Sequence, residues 1–148
     1  MNSNIKLNER IAVLATLDPA SVGAGTVLSA FVPVANFHSI AALIQTGVMG
    51  AAGTIDAKFR QATDAAGTGA KDVTGKAVTQ ILKAAGDNVQ ASIELRGEDL
   101  DVSNGFAFVA LSLTVGTAAS IVGAQVVGAN ARFLPASTLN KASVVQTV

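Results

Sequence analysis

Two long stretches of this chain contain no Asp, Glu, Lys or Arg: residues 19–55, between Asp18 and Asp56, and residues 102–131, between Asp101 and Arg132. Uncharged runs of that length have to be buried, and their internal period decides by what. The second run alternates strictly. Ala107, Val109, Leu111, Leu113 and Val115 fall on one side, while Phe106, Phe108, Ala110, Ser112 and Thr114 fall on the other. A period of two belongs to a β-strand, whose successive side chains point to opposite faces. The first run is broken by Pro33, Asn36, His38 and Gln45 and by scattered glycines and serines, and its apolar residues come in short groups. Neither run has the flanking Lys/Arg clusters that orient a membrane span. Both are read as strands buried on one or both faces, with no membrane partner.

The same reading extends along the chain. Alternation or β-rich composition predicts strands at 10–17, 26–34, 39–46, 54–62, 76–83, 89–96, 106–115 and 121–131, separated by Gly-, Asp- and Asn-rich turns. Asp18-Pro19 is expected to open a turn, and Pro33 to mark an edge or a bend, because proline cannot donate to a ladder. The segments 39–43 and 79–85 are alanine-rich enough for short helices; alternation favours strand. The predicted fold is all-β: a single-domain antiparallel β-sandwich, jelly-roll-like, of about eight strands. It occupies residues 1–133, with residues 134–148 as an extended C-terminal arm. At 148 residues the chain is long enough for one core and short for two.

Composition removes several classes of function. Acids and bases balance at ten each, so no net field attracts nucleic acid. Cysteine is absent and His38 is the only histidine, which rules out thiolate sites and histidine pairs for a metal. Nothing near His38 in sequence supplies both an activated nucleophile and an orienting acid. Glu98, Asp99 and Asp101 form the one acidic cluster, but its order lacks the spaced oxygens of a calcium loop. A solvated turn accounts for it better than a glycosidase pair. Gly75-Lys76 after a glycine-rich run imitates a phosphate loop; the residue five before Gly75 is Ala70, and Ala77 stands where the metal-binding hydroxyl belongs. The N-terminus lacks the basic-then-apolar order of a signal peptide. No catalytic, cofactor or metal residue is assigned, and the chain is read as a non-enzyme.

What remains is surface for contact. The loop 63–74 between the fourth and fifth predicted strands is long enough to reach past the sandwich. It is expected at an end of the domain, touching a neighbour in an assembly through Thr63, Asp64, Thr68, Lys71 and Asp72. For the arm two readings stand: a frayed terminus, or an arm that docks Leu134, Pro135, Leu139, Val144 and Val145 on a neighbour. Half the residues are hydrophobic, more than one small sandwich needs inside, so some apolar area is expected between subunits.

Three runs carry a resemblance: DAKFRQATDAAGTGAKDVTGKAVTQI (56–81), ELRGEDLDVSNGFAFVALSLTVGTAAS (94–120) and GANARFLPAS (128–137). Over residues 8–137 the chain resembles small structural proteins of tailed phages and gene transfer agents. The resemblance implies a head decoration protein or the base of a head spike, on the capsid exterior, assembled in the bacterial host cytoplasm. Implied partners are further copies of the chain, as a pentamer or trimer, the major capsid protein, and a spike or fibre protein. Rival readings are a head–tail connector or tail component, and a carbohydrate-binding β-sandwich for host attachment that uses Phe106 and Phe108 as a platform.

Overall fold

The structure, a computed structural model, describes residues 4–148. After a helical turn at Leu7–Arg10, ten strands follow: β1 (Ile11–Val22), β2 (Gly25–Leu28), β3 (Val32–Pro33), β4 (Phe37–Thr46), β5 (Thr54–Ala62), β6 (Lys71–Ala77), β7 (Ile81–Leu82), β8 (Gln90–Leu95), β9 (Phe108–Gly116) and β10 (Ser120–Ala131). One sheet has the order β1-β10-β4-β8. The other has the order β2-β9-β5-β6, with β3 also on β9 and β7 also on β5. All pairings are antiparallel. Because β2 and β3 share one flank of β9, and β6 and β7 one flank of β5, each sheet is four ribbons wide. Counted as ribbons, the first pairs with the last, the second with the seventh, the third with the sixth and the fourth with the fifth. That nesting is a jelly roll of two packed antiparallel sheets.

The alternation in β9 does what its period requires. Val109, Leu111, Leu113 and Val115 are buried in the core, with Phe59, Ile55 and Ala57 of β5 beside them and Ile40, Ala42, Ile44, Val126, Ile93 and Leu95 facing them from the opposite sheet. Each large side chain fully buried in this way contributes roughly 1.5–3 kcal/mol. The inter-sheet space also shapes backbone choices. Gly128 of β10 lies under the Phe37 ring, where a Cβ would sit 2.6 Å from ring carbons.

Four expectations are corrected. Asp18-Pro19 opens no turn: β1 runs on to Val22, with a register shift between Leu17 and Ala20. At a sheet edge the missing proline N–H costs no ladder bond, and Gly123 of β10 leaves room for the ring. The predicted strand 26–34 is broken at residues 29–31. There Ser29 stands in for a strand residue, donating its N–H to Leu111 O at 2.9 Å and accepting from Leu111 N through Oγ at 2.9 Å. The predicted strand 76–83 is displaced toward the N-terminus. Lys71 to Thr74 belong to β6 and not to a loop, and Lys83–Ala85 is a 3-10 turn. The cause is electrostatic and conformational: Asp72 lies opposite Arg60 and bonds Lys58 Nζ at 2.7 Å, while Gly75, at φ +76°, takes up the register shift. Lastly, β9 begins at Phe108, so Phe106 stands outside it.

Beyond residue 131 the chain leaves the sheets. Ala136–Leu139 forms a 3-10 turn with Ala136 fully buried against the domain. Val13 N donates to Asn140 Oδ1 at 2.8 Å, Lys141 N donates to Val13 O at 2.7 Å, and Lys141 Nζ donates to Thr16 Oγ1 at 2.7 Å. This segment is therefore laid along the outer edge of β1. Among the described residues no helix is long and apolar enough to cross a membrane.

Candidate assembly surfaces

The two outer faces of the sandwich differ in kind. On the β2-β9-β5-β6 sheet, the outward charges of β5 are already partnered: Lys58 with Asp72, Arg60 Nη2 with Ala70 O at 2.8 Å, and Asp56 accepting from Gln80 Nε2 at 2.8 Å. Thr26, Ser112 and Thr114 lie uncharged beside them, and Leu28 and Leu82 are exposed at the margins. Arg60 Nε lies 3.4 Å from Asp72 Oδ1 without making a hydrogen bond. On the β1-β10-β4-β8 sheet, the outward positions Thr16, Leu43, Gln45, Ser92, Ile121, Gly123 and Gln125 carry no charge, and Glu94 of β8 is the charged outward residue beside them. Leu43 is 49% exposed and Ile121 43% exposed. These residues floor a shallow groove of about 960 Å³, with Asp18 at one end. At the opposite end of the same sheet a smaller polar recess gathers His38, Glu94, Arg96, Glu98 and Arg132. His38 is exposed there on β4, among charged groups and Ser39, and among the described residues no carboxylate is bonded to it. Among the described residues no group of three His, Asp or Glu side chains is placed to hold a metal ion.

The ends of the sandwich differ as well. The loops after β1, β4, β7 and β9 share one end, where Asp87 ties the turns together by accepting from Lys83 Nζ at 2.6 Å and from Met49 N at 2.9 Å. Those two bonds hold its carboxyl below the ordinary range, Lys83 first. The other end carries the loops after β3, β5 and β8 together with the helical turn Leu7–Arg10 and the start of the C-terminal segment. The loop after β5 runs from Thr63 to Ala70 and is self-structured. Thr68 N donates to Asp64 Oδ1 at 3.0 Å, and Thr63 N donates to Thr68 O at 3.1 Å. Hydrogen bonds from the Thr68 side chain and then from backbone N–H groups lower the Asp64 pKa. Gly67, at φ +86°, faces Phe31, and Gly69 faces Phe106, so the loop is held between two rings.

The sequence-assigned contact residues all fall near this end. Thr63, Asp64 and Thr68 shape the loop itself. Lys71 bridges to Asp101 Oδ2 at 2.5 Å and places Nζ 4.2 Å from the centre of the Phe106 ring. Asp72 points to the charged outer face. Leu134, Pro135, Leu139 and Val145 are exposed and Val144 is half-buried. The acidic cluster is a fastening and not a free carboxylate pair. Asp101 is held low in pKa by Lys71 and by Asn104. Asp99 is held low by the Arg96 backbone N–H, with Lys76 contributing at 3.1 Å. Sequence reasoning missed Phe133, which is 78% exposed, and the outward Leu43 and Ile121. Leu43 and Ile121 were legible as the out-of-phase apolar positions of their strands; Phe133 had no pattern around it.

No family model and no curated protein matches this chain. Among solved structures, a chain of the cowpea mosaic virus top component aligns at 8% identity over 91% of this chain and 92% of that one, with a TM-score of 0.44. The SPBc2 prophage-derived protein YomS aligns at 12% identity over 86% and 100%, TM-score 0.42. A non-crystalline-cellulose-specific carbohydrate-binding module, CBM28, aligns at 10% identity over 78% and 72%, TM-score 0.45. Likenesses this distant carry no inference about what the chain does.

Proposed function

We propose that this protein is a non-enzymatic structural component of a phage virion, a homo-oligomer on the capsid exterior that serves as a decoration protein or the base of a head spike. The observation that carries the reading is the contrast between the two outer faces. On one face the charges of β5 are taken up by hydrogen-bonding partners on that face. The other holds a groove whose floor carries no charge and exposes Leu43 and Ile121, with the charged residues kept to its ends, and a further copy meets that groove without charge repulsion. The end that bears Thr63, Asp64, Thr68, Lys71 and Asp72, together with Leu134, Pro135, Leu139, Val144 and Val145, is proposed as the side that touches a neighbouring subunit or the major capsid protein. Ring closure as a pentamer or trimer fits a capsid five-fold or three-fold site. The residue runs 56–81, 94–120 and 128–137 support a phage source.

Native mass spectrometry together with electron cryo-microscopy of purified particles tests the reading. Discrete oligomers and density on the outer shell are the expected result. A strictly monomeric protein that is absent from particles overturns it, and density in the connector or tail moves it to that rival role. Glycan binding that is lost in Phe106→Ala and Phe108→Ala would replace it with host attachment.

A further inference from the structure

A β-sandwich of open sheets has four edges, and unprotected edges pair with other chains. Three edges here are blocked by their own sequence. β1 carries Pro19 and two register shifts and is bonded by Asn140 and Lys141. The β2/β3 ribbon is interrupted and ends in Pro33. The β6/β7 ribbon is interrupted, shifts register near Gly75, and carries Lys71 and Lys76. β8 has none of these devices. Gln90-Ala91-Ser92-Ile93-Glu94-Leu95 contains no proline, glycine or lysine and pairs with β4 without a register shift.

The phase of its hydrogen bonding is fixed. Thr46 N donates to Val89 O at 2.9 Å, so Val89, Ala91, Ile93 and Leu95 face β4, opposite Thr46, Ile44, Ala42 and Ile40. Gln90, Ser92 and Glu94 turn their N–H and C=O groups away from the sheet, and all three residues are exposed. Among the described residues no backbone group donates to or accepts from that outer side of β8.

We infer that β8 is an isologous docking edge, along which a second copy of this chain pairs antiparallel about a two-fold axis at Ser92. In that register Ser92 meets the partner's Ser92, and Gln90 meets the partner's Glu94. An amide donor then lies opposite each carboxylate, and about six backbone hydrogen bonds join the two four-ribbon sheets into one. Sliding the axis to Glu94 would set two carboxylates opposite each other, which disfavours that register. The inference stands apart from the virion reading: it concerns an edge, not the outer faces, and holds or fails on the isolated protein.

The test uses single cysteines in a chain that otherwise has none. Opposed residues of a hydrogen-bonded antiparallel pair lie about 5.5 Å apart at Cα, within disulfide reach. Ser92→Cys is therefore expected to give a disulfide-linked dimer under mild oxidation, while Gln90→Cys, opposite glutamate, stays uncrosslinked. Ser92→Pro removes an N–H that β4 does not use, and is expected to weaken dimerisation by about tenfold or more in sedimentation equilibrium with an unchanged far-UV circular dichroism spectrum. Should the proline variant fail to fold, the cysteine pair still decides. Equal cross-linking at positions 90 and 92, or a wild-type protein that sediments as a monomer up to millimolar concentration, overturns the inference.

Discussion

Gly128 and Asp87 show how single residues hold this sandwich. Gly128 is a glycine because of packing: a Cβ would meet three carbons of the Phe37 ring at 2.6–2.7 Å. Gly128→Ala is expected to lower stability by about 1–3 kcal/mol in urea unfolding, as other overpacked cores do. Adding Phe37→Leu should restore part of that loss, since the second change opens the space the first one fills. Asp87 acts through charge. Its folded-state pKa lies below the ordinary 3.8, lowered by Lys83 and Met49 N–H, and Asp64, Asp99 and Asp101 are lowered likewise. A depressed carboxyl stabilises the fold fully above its unfolded pKa and stops doing so as pH falls through the folded value. Urea midpoints should therefore be flat near neutrality and drop below about pH 4. In Asp87→Asn the drop should be shallower and the neutral-pH midpoint lower.

At the scale of elements, the hairpin β5–β6 separates what composition could reveal from what it could not. β5 was legible because Ile55, Ala57 and Phe59 alternate with Asp56, Lys58 and Arg60, and β9 and β10 for the same reason. β6 was not, because Lys71-Asp72-Val73-Thr74 has loop composition and becomes strand only through partners on β5 far along the chain. The breaks in the two edge ribbons were equally hidden, since Ser29 replaces a ladder bond by a side-chain contact that no period records. Of the surface proposed for contact, the loop and the arm were picked from sequence by elimination, while the outward apolar residues of β4 and β10 need a known sheet order to be seen as neighbours. The revised hairpin has a consequence for deletion. Removing residues 65–68 should leave the melting temperature nearly unchanged while reducing oligomer yield in native mass spectra. Removing 63–74 takes half of β6 as well, and should lower the melting temperature by several degrees.

For the whole molecule, the proposed reading puts association at the groove floored by Leu43 and Ile121. Leu43→Asp or Ile121→Asp places a charge on an exposed strand position, where the monomer tolerates it, and should shift native mass spectra toward smaller species with little change in unfolding. A like change on the opposite face, such as Lys58→Gln, should leave the oligomer intact. The all-β class and the nested order follow from alternation and turn spacing acting together. The identity of the open edge does not, because it depends on which ribbons end up outermost. The segment laid along β1 gives the assembly its arithmetic. With Asn140 and Lys141 bonded to Val13, one flank of the four-ribbon sheet is shut while β8 at the other flank is open. A unit with one open flank can pair through it and then stop growing along that sheet; a unit with two can add indefinitely. On that inference residues 140–148 add to Pro19 and the two register shifts in keeping the β1 flank shut. With Pro19 and the register shifts still in place, cutting residues 140–148 away should loosen the β1 flank without opening it fully, raising the share of species larger than a pair in native mass spectra while negative-stain microscopy shows no fibres.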